Sequence, residues 1–260
     1  MNISIFQQDV LLGDVKKNRE NVTTWIDKVG QDKHIDSVFL PELWSSGYAF
    51  QDLKRIADEA EETNAVFAEK AKQYNLHVFG GSIVTNRENK YYNTAHIFNK
   101  EGALVHKYDK THLVPMLDEP TYFQQGDHAP HTFTLDNLNF GLIVCYDLRF
   151  PELARMLTLQ GAEVLVVPAA WPKARTSVWL HLLQARAIEN QVYVIGINRV
   201  GGDDQTEYGG HSVIIDPRGD ILLEAQGSEA TITAQLKRED VYRIREDVPS
   251  LKNRRPELYE

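Results

Sequence analysis

One cysteine occurs in the chain, at position 145, in the run Gly141-Leu142-Ile143-Val144-Cys145-Tyr146-Asp147-Leu148-Arg149-Phe150-Pro151-Glu152. A thiol that ends an apolar strand and leads through a short turn into a helix is exposed at the strand tip. Helix-start N–H groups then point at whatever bonds to sulfur. That is a nucleophile's position, although free cysteine is more often a small buried hydrophobe. A second segment, Phe39-Leu40-Pro41-Glu42-Leu43-Trp44, sets an acid just past an apolar strand, where α/β folds place functional groups. A turn glutamate would fit there equally. The third, Tyr108-Asp109-Lys110-Thr111-His112-Leu113, has an apolar surround and runs into an irregular stretch from 116 to about 132 that carries Asp118 and Glu119. Loops of that length inside a compact domain are usually functional; in isolation Lys107 and Lys110 would be surface lysines. A cysteine nucleophile commonly takes a histidine base, and His112, His181 and His211 are available. Each stands in an undistinguished context and reads as structural or surface. No H-E-x-x-H or clustered His/Asp spacing marks a metal site, so neither a metal nor another cofactor is expected.

The elements that must position these residues follow from periodicity. Residues 3–7 and 37–40 read as strands, the second stopped by Pro41, and Val22, Trp25, Ile26 and Val29 fall on one face of a helix between them. Helix is expected from about 52 to 74, strands at 77–84, 92–98 and 104–108, and a turn at 99–102. Apolar strands at 142–145, 164–167 and 192–197 need cover on both faces. A helix starting at Pro151, where a missing N–H costs nothing, joins the first two of them. Another is expected over 178–189, followed by strand, turn and strand at 211–216, 217–220 and 221–224. Mixed β-α-β units and hairpins without a linker or repeat predict a layered α/β sandwich, read as one domain over 1–260.

Composition narrows the classes. The chain has 260 residues, enough to bury a core without staples, and one cysteine excludes an internal disulfide or a multi-cysteine metal site. With 28 basic and 37 acidic residues, the net charge of −9 argues against a nucleic-acid or anionic-membrane surface. No apolar stretch approaches the ~18–20 residues of a membrane span, and no signal peptide is visible at the start. A soluble, cytoplasmic protein acting on a small molecule is expected.

Taken together, Leu40-Pro41-Glu42, Tyr108-Asp109-Lys110 and Cys145-Tyr146-Asp147-Leu148-Arg149-Phe150-Pro151-Glu152 resemble the nitrilase superfamily of carbon–nitrogen hydrolases, as do Gln184–Asn190 and Gly209-Gly210-His211-Ser212. The resemblance covers essentially the whole chain. It implies a four-layer α-β-β-α sandwich, usually a homodimer, and a Glu42–Lys110–Cys145 triad with Glu119 as a second acid. Cys-Tyr-Asp resembles the amidase side, and Trp171-Pro172-Lys173-Ala174-Arg175 with Arg149 is similar to bacterial ω-amidases acting on 2-oxoglutaramate-type substrates. In that chemistry Cys145 attacks the amide, Glu42 moves the proton, and Lys110 with the Tyr146 N–H holds the oxyanion. An acidic protein that binds a carboxylate needs a local arginine, and Arg149 and Arg175 are the candidates. Arg149 could instead brace its turn through Glu152 or Asp147. Tyr48 and Trp171 could wall a small pocket or serve as core aromatics. Competing expectations are an N-carbamoyl or other small aliphatic amide as substrate, and a non-catalytic binding protein on the same fold.

Overall fold

Ile3 and Ile5 face one side of the first strand and Phe6 the other; Phe39 likewise opposes Val38 and Leu40, and Phe79 opposes Val78. This period-two alternation puts two apolar faces on one sheet. The computed structural model describes residues 1–203 and 205–259. Its strands are β1 (Asn2–Gln7), β2 (Ser37–Phe39), β3 (His77–Arg87), β4 (Lys90–Phe98), β5 (Leu104–Asp109), β6 (Phe133–Leu135), β7 (Leu138–Leu142), β8 (Val164–Ala169), β9 (Tyr193–Asn198), β10 (Val213–Ile215), β11 (Ile221–Glu224) and β12 (Ala230–Gln235). Two six-stranded sheets result, ordered β12-β1-β2-β3-β4-β5 and β11-β10-β9-β8-β7-β6. The central strands β1–β3 and β7–β9 run parallel, with antiparallel strands at the margins.

The helices are α1 (Val15–Val29), α2 (Leu53–Asp58), α3 (Ala60–Tyr74), α4 (Glu119–Tyr122), α5 (Pro151–Leu159), α6 (Thr176–Asn190) and α7 (Arg238–Asp247). Val22, Trp25 and Ile26 of α1 and Phe67 and Ala71 of α3 cover the outer face of the first sheet. Leu157 of α5 and Trp179, Leu183 and Ala187 of α6 pack on the second, so four layers form in the order α-β-β-α. The core between the sheets joins Ile3, Ile5, Phe39 and Phe79 to Phe140, Leu142 and Val166.

Three local expectations change. The 52–74 helix is divided at Glu59, because Leu53 and Ile56 pack with Leu113 and Phe123 whereas Phe67 and Ala71 pack on the sheet. Two differently placed apolar surfaces require two helix directions. The strand expected at 142–145 ends at Leu142, and Cys145 opens a 3-10 turn, Cys145–Arg149. The irregular 116–132 stretch opens within a 3-10 turn, Pro115–Leu117, and contains α4.

Candidate active site

Three of the four functional side chains leave the carboxyl end of a strand, and Glu119 opens α4. Glu42 follows β2, Lys110 follows β5 and Cys145 follows β7. Two glycines fix the first two placements. Gly81 sits at φ +55° in an irregularity of the β3–β4 pairing, and an added Cβ would lie 2.0 Å from the Pro41 carbonyl oxygen. That close approach lets Ser82 N–H donate to Pro41 O, while the Ser82 hydroxyl accepts from Leu43 N–H. Lys110 is held on the sheet by its N–H to Asn93 O, and its carbonyl accepts from Gly126 N–H. A Cβ on Gly126 would meet Asp109 O at 2.2 Å.

Lys110 Nζ donates to Glu42 Oε1 at 2.7 Å and to Glu119 Oε1 at 2.8 Å, and all three side chains are fully buried. Glu42 Oε1 also accepts from Asn93 Nδ2 (2.8 Å), and its Oε2 accepts from Ala170 N–H (2.9 Å) just past β8. One carboxylate therefore ties the end of the first sheet to the end of the second. Glu119 accepts from the Tyr48 hydroxyl at 2.9 Å and from Val114 N–H at 2.7 Å. Burying ions is tolerable only when each is paired and hydrogen-bonded, and this set meets that condition.

Burial pushes the Cys145 thiol well up, and the Glu42 carboxylate, hydrogen-bonded to it, pushes further; Lys110 opposes without prevailing. Burial alone would lower the Lys110 ammonium, but Glu119, Glu42 and Cys145 together hold it well above its ordinary value. Glu119 is raised by burial, against Lys110, with Glu42 adding to the rise. Both shifts favour the protonated forms of Cys145 and Lys110, and Glu42 is the acceptor within reach of the sulfur proton. Left-handed backbone recurs at the site: Leu43 (φ 45°), Asp118 (φ 55°) and Cys145 (φ 48°) each adjoin or carry a site residue. Such conformations cost ~1–3 kcal/mol each and persist only where surroundings impose them.

Asp147 imposes the Cys145 turn. Its Oδ2 accepts from Val144 N–H (3.0 Å) and the Tyr108 hydroxyl (2.8 Å), and its Oδ1 from His112 N–H (2.9 Å) and His112 Nδ1 (2.8 Å). Arg186 secures the far end of the turn by donating to Leu148 O at 2.8 Å. The first N–H groups of this turn, Tyr146 among them, are donors that a helix start leaves unused. His112 is structural, stacked on Phe150 at 3.6 Å; His211 pairs with Glu224, and His181 lies exposed on α6.

A cavity of about 80 Å³ opens beside Cys145 and is lined by Tyr146, Arg149, Trp171 and Arg175 with Val114 and Met116. The brace from Arg149 to Glu152 or Asp147 does not form. Asp147 is committed to His112 and Tyr108, and the Arg149 guanidinium lies over the Trp171 ring at 5.0 Å. Trp171 Nε1 donates to Arg175 O at 3.0 Å, fixing the loop that carries the second arginine. Neither guanidinium has a carboxylate partner among the described residues. Tyr48 lies instead on a neighbouring cavity of about 640 Å³. Sequence reasoning missed Asn93, Asp147, Tyr108, Arg186 and the Ala170 N–H. Tyr108 and Asp147 stand inside the motifs that carry the family resemblance, but nothing there signals their hydrogen bonds around the nucleophile's turn.

The profile of the carbon–nitrogen hydrolase family matches residues 2–246. The chain belongs to that family. This carbon–nitrogen hydrolase is 39% identical to a hydrolase of the agr operon of Staphylococcus aureus over all of both chains. It is 37% identical to the 2-oxoglutaramate amidase of Bacillus subtilis, over 99% of this chain and 98% of that one. Among solved structures it resembles Nit3 of Saccharomyces cerevisiae, a nitrilase-superfamily member, with a TM-score of 0.91, 29% identity, and 98% and 96% of the two chains covered. Among the described residues no helix is long and apolar enough to cross a membrane.

Proposed function

We propose that this amide-hydrolysing enzyme is an ω-amidase, releasing ammonia from a small 2-oxo acid amide such as 2-oxoglutaramate or 2-oxosuccinamate through a Cys145 acyl-enzyme. The observation that carries the reading is a small cavity lined by the thiol and by two guanidiniums, Arg149 and Arg175, that have no carboxylate partner among the described residues. In a chain of net charge −9, such cations have a use when a substrate carboxylate pairs with them. The relationship to the Bacillus subtilis 2-oxoglutaramate amidase supports the same choice.

In this reading Glu42 takes the thiol proton as sulfur adds to the amide carbon, and Lys110 with the Tyr146 N–H stabilises the oxyanion. Glu42 then protonates the departing ammonia, and later accepts a proton from the water that cleaves the thioester. Glu119 keeps Lys110 charged and oriented.

The test is an ammonia-release screen over 2-oxo ω-amides, N-carbamoyl compounds, simple aliphatic amides and nitriles. The ω-amides are expected to dominate, with KM raised about tenfold or more in Arg149→Met and Arg175→Met. Equal turnover of uncharged amides, unmoved by either substitution, would reassign the substrate. No turnover of any amide by the folded protein would favour a non-catalytic binding protein.

A further inference from the structure

The 640 Å³ cavity is far larger than departing ammonia needs, and its walls have a definite chemistry. It shares Met116 and Leu117 with the small cavity beside Cys145, so the two spaces adjoin across those side chains. Tyr48, whose hydroxyl is bonded to Glu119, forms the wall nearest the buried carboxylates. Phe50 and Tyr122, stacked at 4.3 Å, continue that wall, with Tyr48 5.5 Å from Phe50. Asp118 and Asp203 lie on the same lining, and no Lys or Arg side chain does among the described residues. Asp118 has no ion-pair partner among the described residues, whereas Asp52, also on the lining, is taken by Arg55 at 3.1 Å.

A second observation points to an occupant. Tyr208 is 3% exposed, lines this cavity, and its hydroxyl has no hydrogen-bond partner among the described residues. A buried phenol normally finds one. Its ring is fixed from behind by the Arg199 guanidinium at 4.2 Å, which turns its own N–H groups onto the carbonyls of Val10 and Val200. Nε and Nη2 of Arg199 are thereby committed to the protein and Nη1 has no partner among the described residues, while the cavity side presents aromatic faces, a free hydroxyl and carboxylates. That combination suits an alkylammonium, which aromatic faces attract and carboxylates pair with.

We propose that this cavity receives the amine half of a substituted amide, so that the enzyme also hydrolyses N-(ammonioalkyl) amides, with Tyr208 and Asp118 selecting the cationic substituent. The inference rests on the thiol-amidase reading and extends it from ammonia to amine leaving groups. The bonds balance as for the primary amide. Sulfur adds to the carbonyl carbon while its proton passes to Glu42; the C–N bond breaks and Glu42 returns that proton to nitrogen, freeing the diamine. Water then cleaves the thioester and restores the thiol.

The experiment compares four glutaric acid monoamides on the full-length enzyme: the primary amide and the N-(4-aminobutyl), N-butyl and N-(3-carboxypropyl) amides. Amine or ammonia release is followed at fixed pH and salt. The aminobutyl amide is expected to exceed the butyl amide in kcat/KM by about tenfold, as one cation–π and ion-pair contact supplies, with the carboxypropyl amide slowest. Asp118→Asn, which tolerates the left-handed backbone, should cut that ratio by about threefold or more, and Tyr208→Phe should do likewise. Cleavage of the primary amide alone, or of all three substituted amides at equal rates, would overturn the proposal and leave the amidase reading standing. No turnover of any of the four or of 2-oxoglutaramate would instead remove the amidase reading beneath it.

Discussion

Replacing Asp147 by Asn changes one atom and removes a charge, yet the geometry makes it consequential. The carboxylate takes four donors, two on each oxygen, and is fully buried. An asparagine offers one oxygen and one NH₂. With the oxygen kept toward His112, the NH₂ faces Val144 N–H, a donor that cannot rotate away; with the amide flipped, it faces His112 N–H. Either way a backbone donor is left unpaired in the interior at ~1–3 kcal/mol, and charge-assisted bonds are weakened besides. We expect a loss of about 2–4 kcal/mol in urea unfolding and about 5–12 °C in Tm. Val144 precedes the nucleophile, so its release also loosens the left-handed Cys145 backbone. A displacement near 1 Å at a reacting atom costs about 100-fold in rate. Ammonia release and the iodoacetamide rate at Cys145 should fall together in the folded variant. Wild-type kcat and alkylation, with unchanged stability, would refute the claim that Asp147 sets the nucleophile's position.

Other perturbations probe different parts of the structure. Tyr48→Phe removes a donor from Glu119 and should cost about 1–2 kcal/mol of stability and about tenfold in kcat, read from urea melts and steady-state kinetics. Gly81→Ala would drive a Cβ into Pro41 O at positive φ, so a loss of about 3 kcal/mol or more together with activity is expected in a thermal melt. His106 is buried beside His131 and Phe133, and burial pushes it from 6.5 down to about 4. The unfolded chain takes up a proton below pH 6.5 and the folded one only near 4, so stability present above 6.5 is lost as pH falls through that window. His106→Phe should remove about 3 kcal/mol of that acid loss, measured as the pH slope of unfolding free energy.

How much was legible in the sequence depended on the range of the interaction. Local pattern sufficed for β1, β8 and β9, whose apolar runs end at turns, and for α5 and α6. It could not place the division at Glu59, because that reflects two packing surfaces contributed by distant residues. Strands β6, β7 and β12 were short or mixed in pattern, and β12 earns its place by pairing with β1 from the far end of the chain. At the site, Glu42, Lys110, Glu119 and Cys145 came from motif resemblance, and the structure brings their segments together. Asp147 and Asn93 stayed invisible because their roles are hydrogen bonds across 35 and 51 positions of sequence. The acidic net charge foretold that carboxylate recognition would need local cations, but only the fold shows that Arg149 and Arg175 have no carboxylate partner among the described residues.

The central claim is that hydrolysis passes through the Cys145 sulfur. Ammonia release from 2-oxoglutaramate by wild-type enzyme and by Cys145→Ala, compared after both are shown to be folded, tests it most directly. Turnover is expected in the first and none above background in the second; turnover surviving in Cys145→Ala would contradict passage through the sulfur.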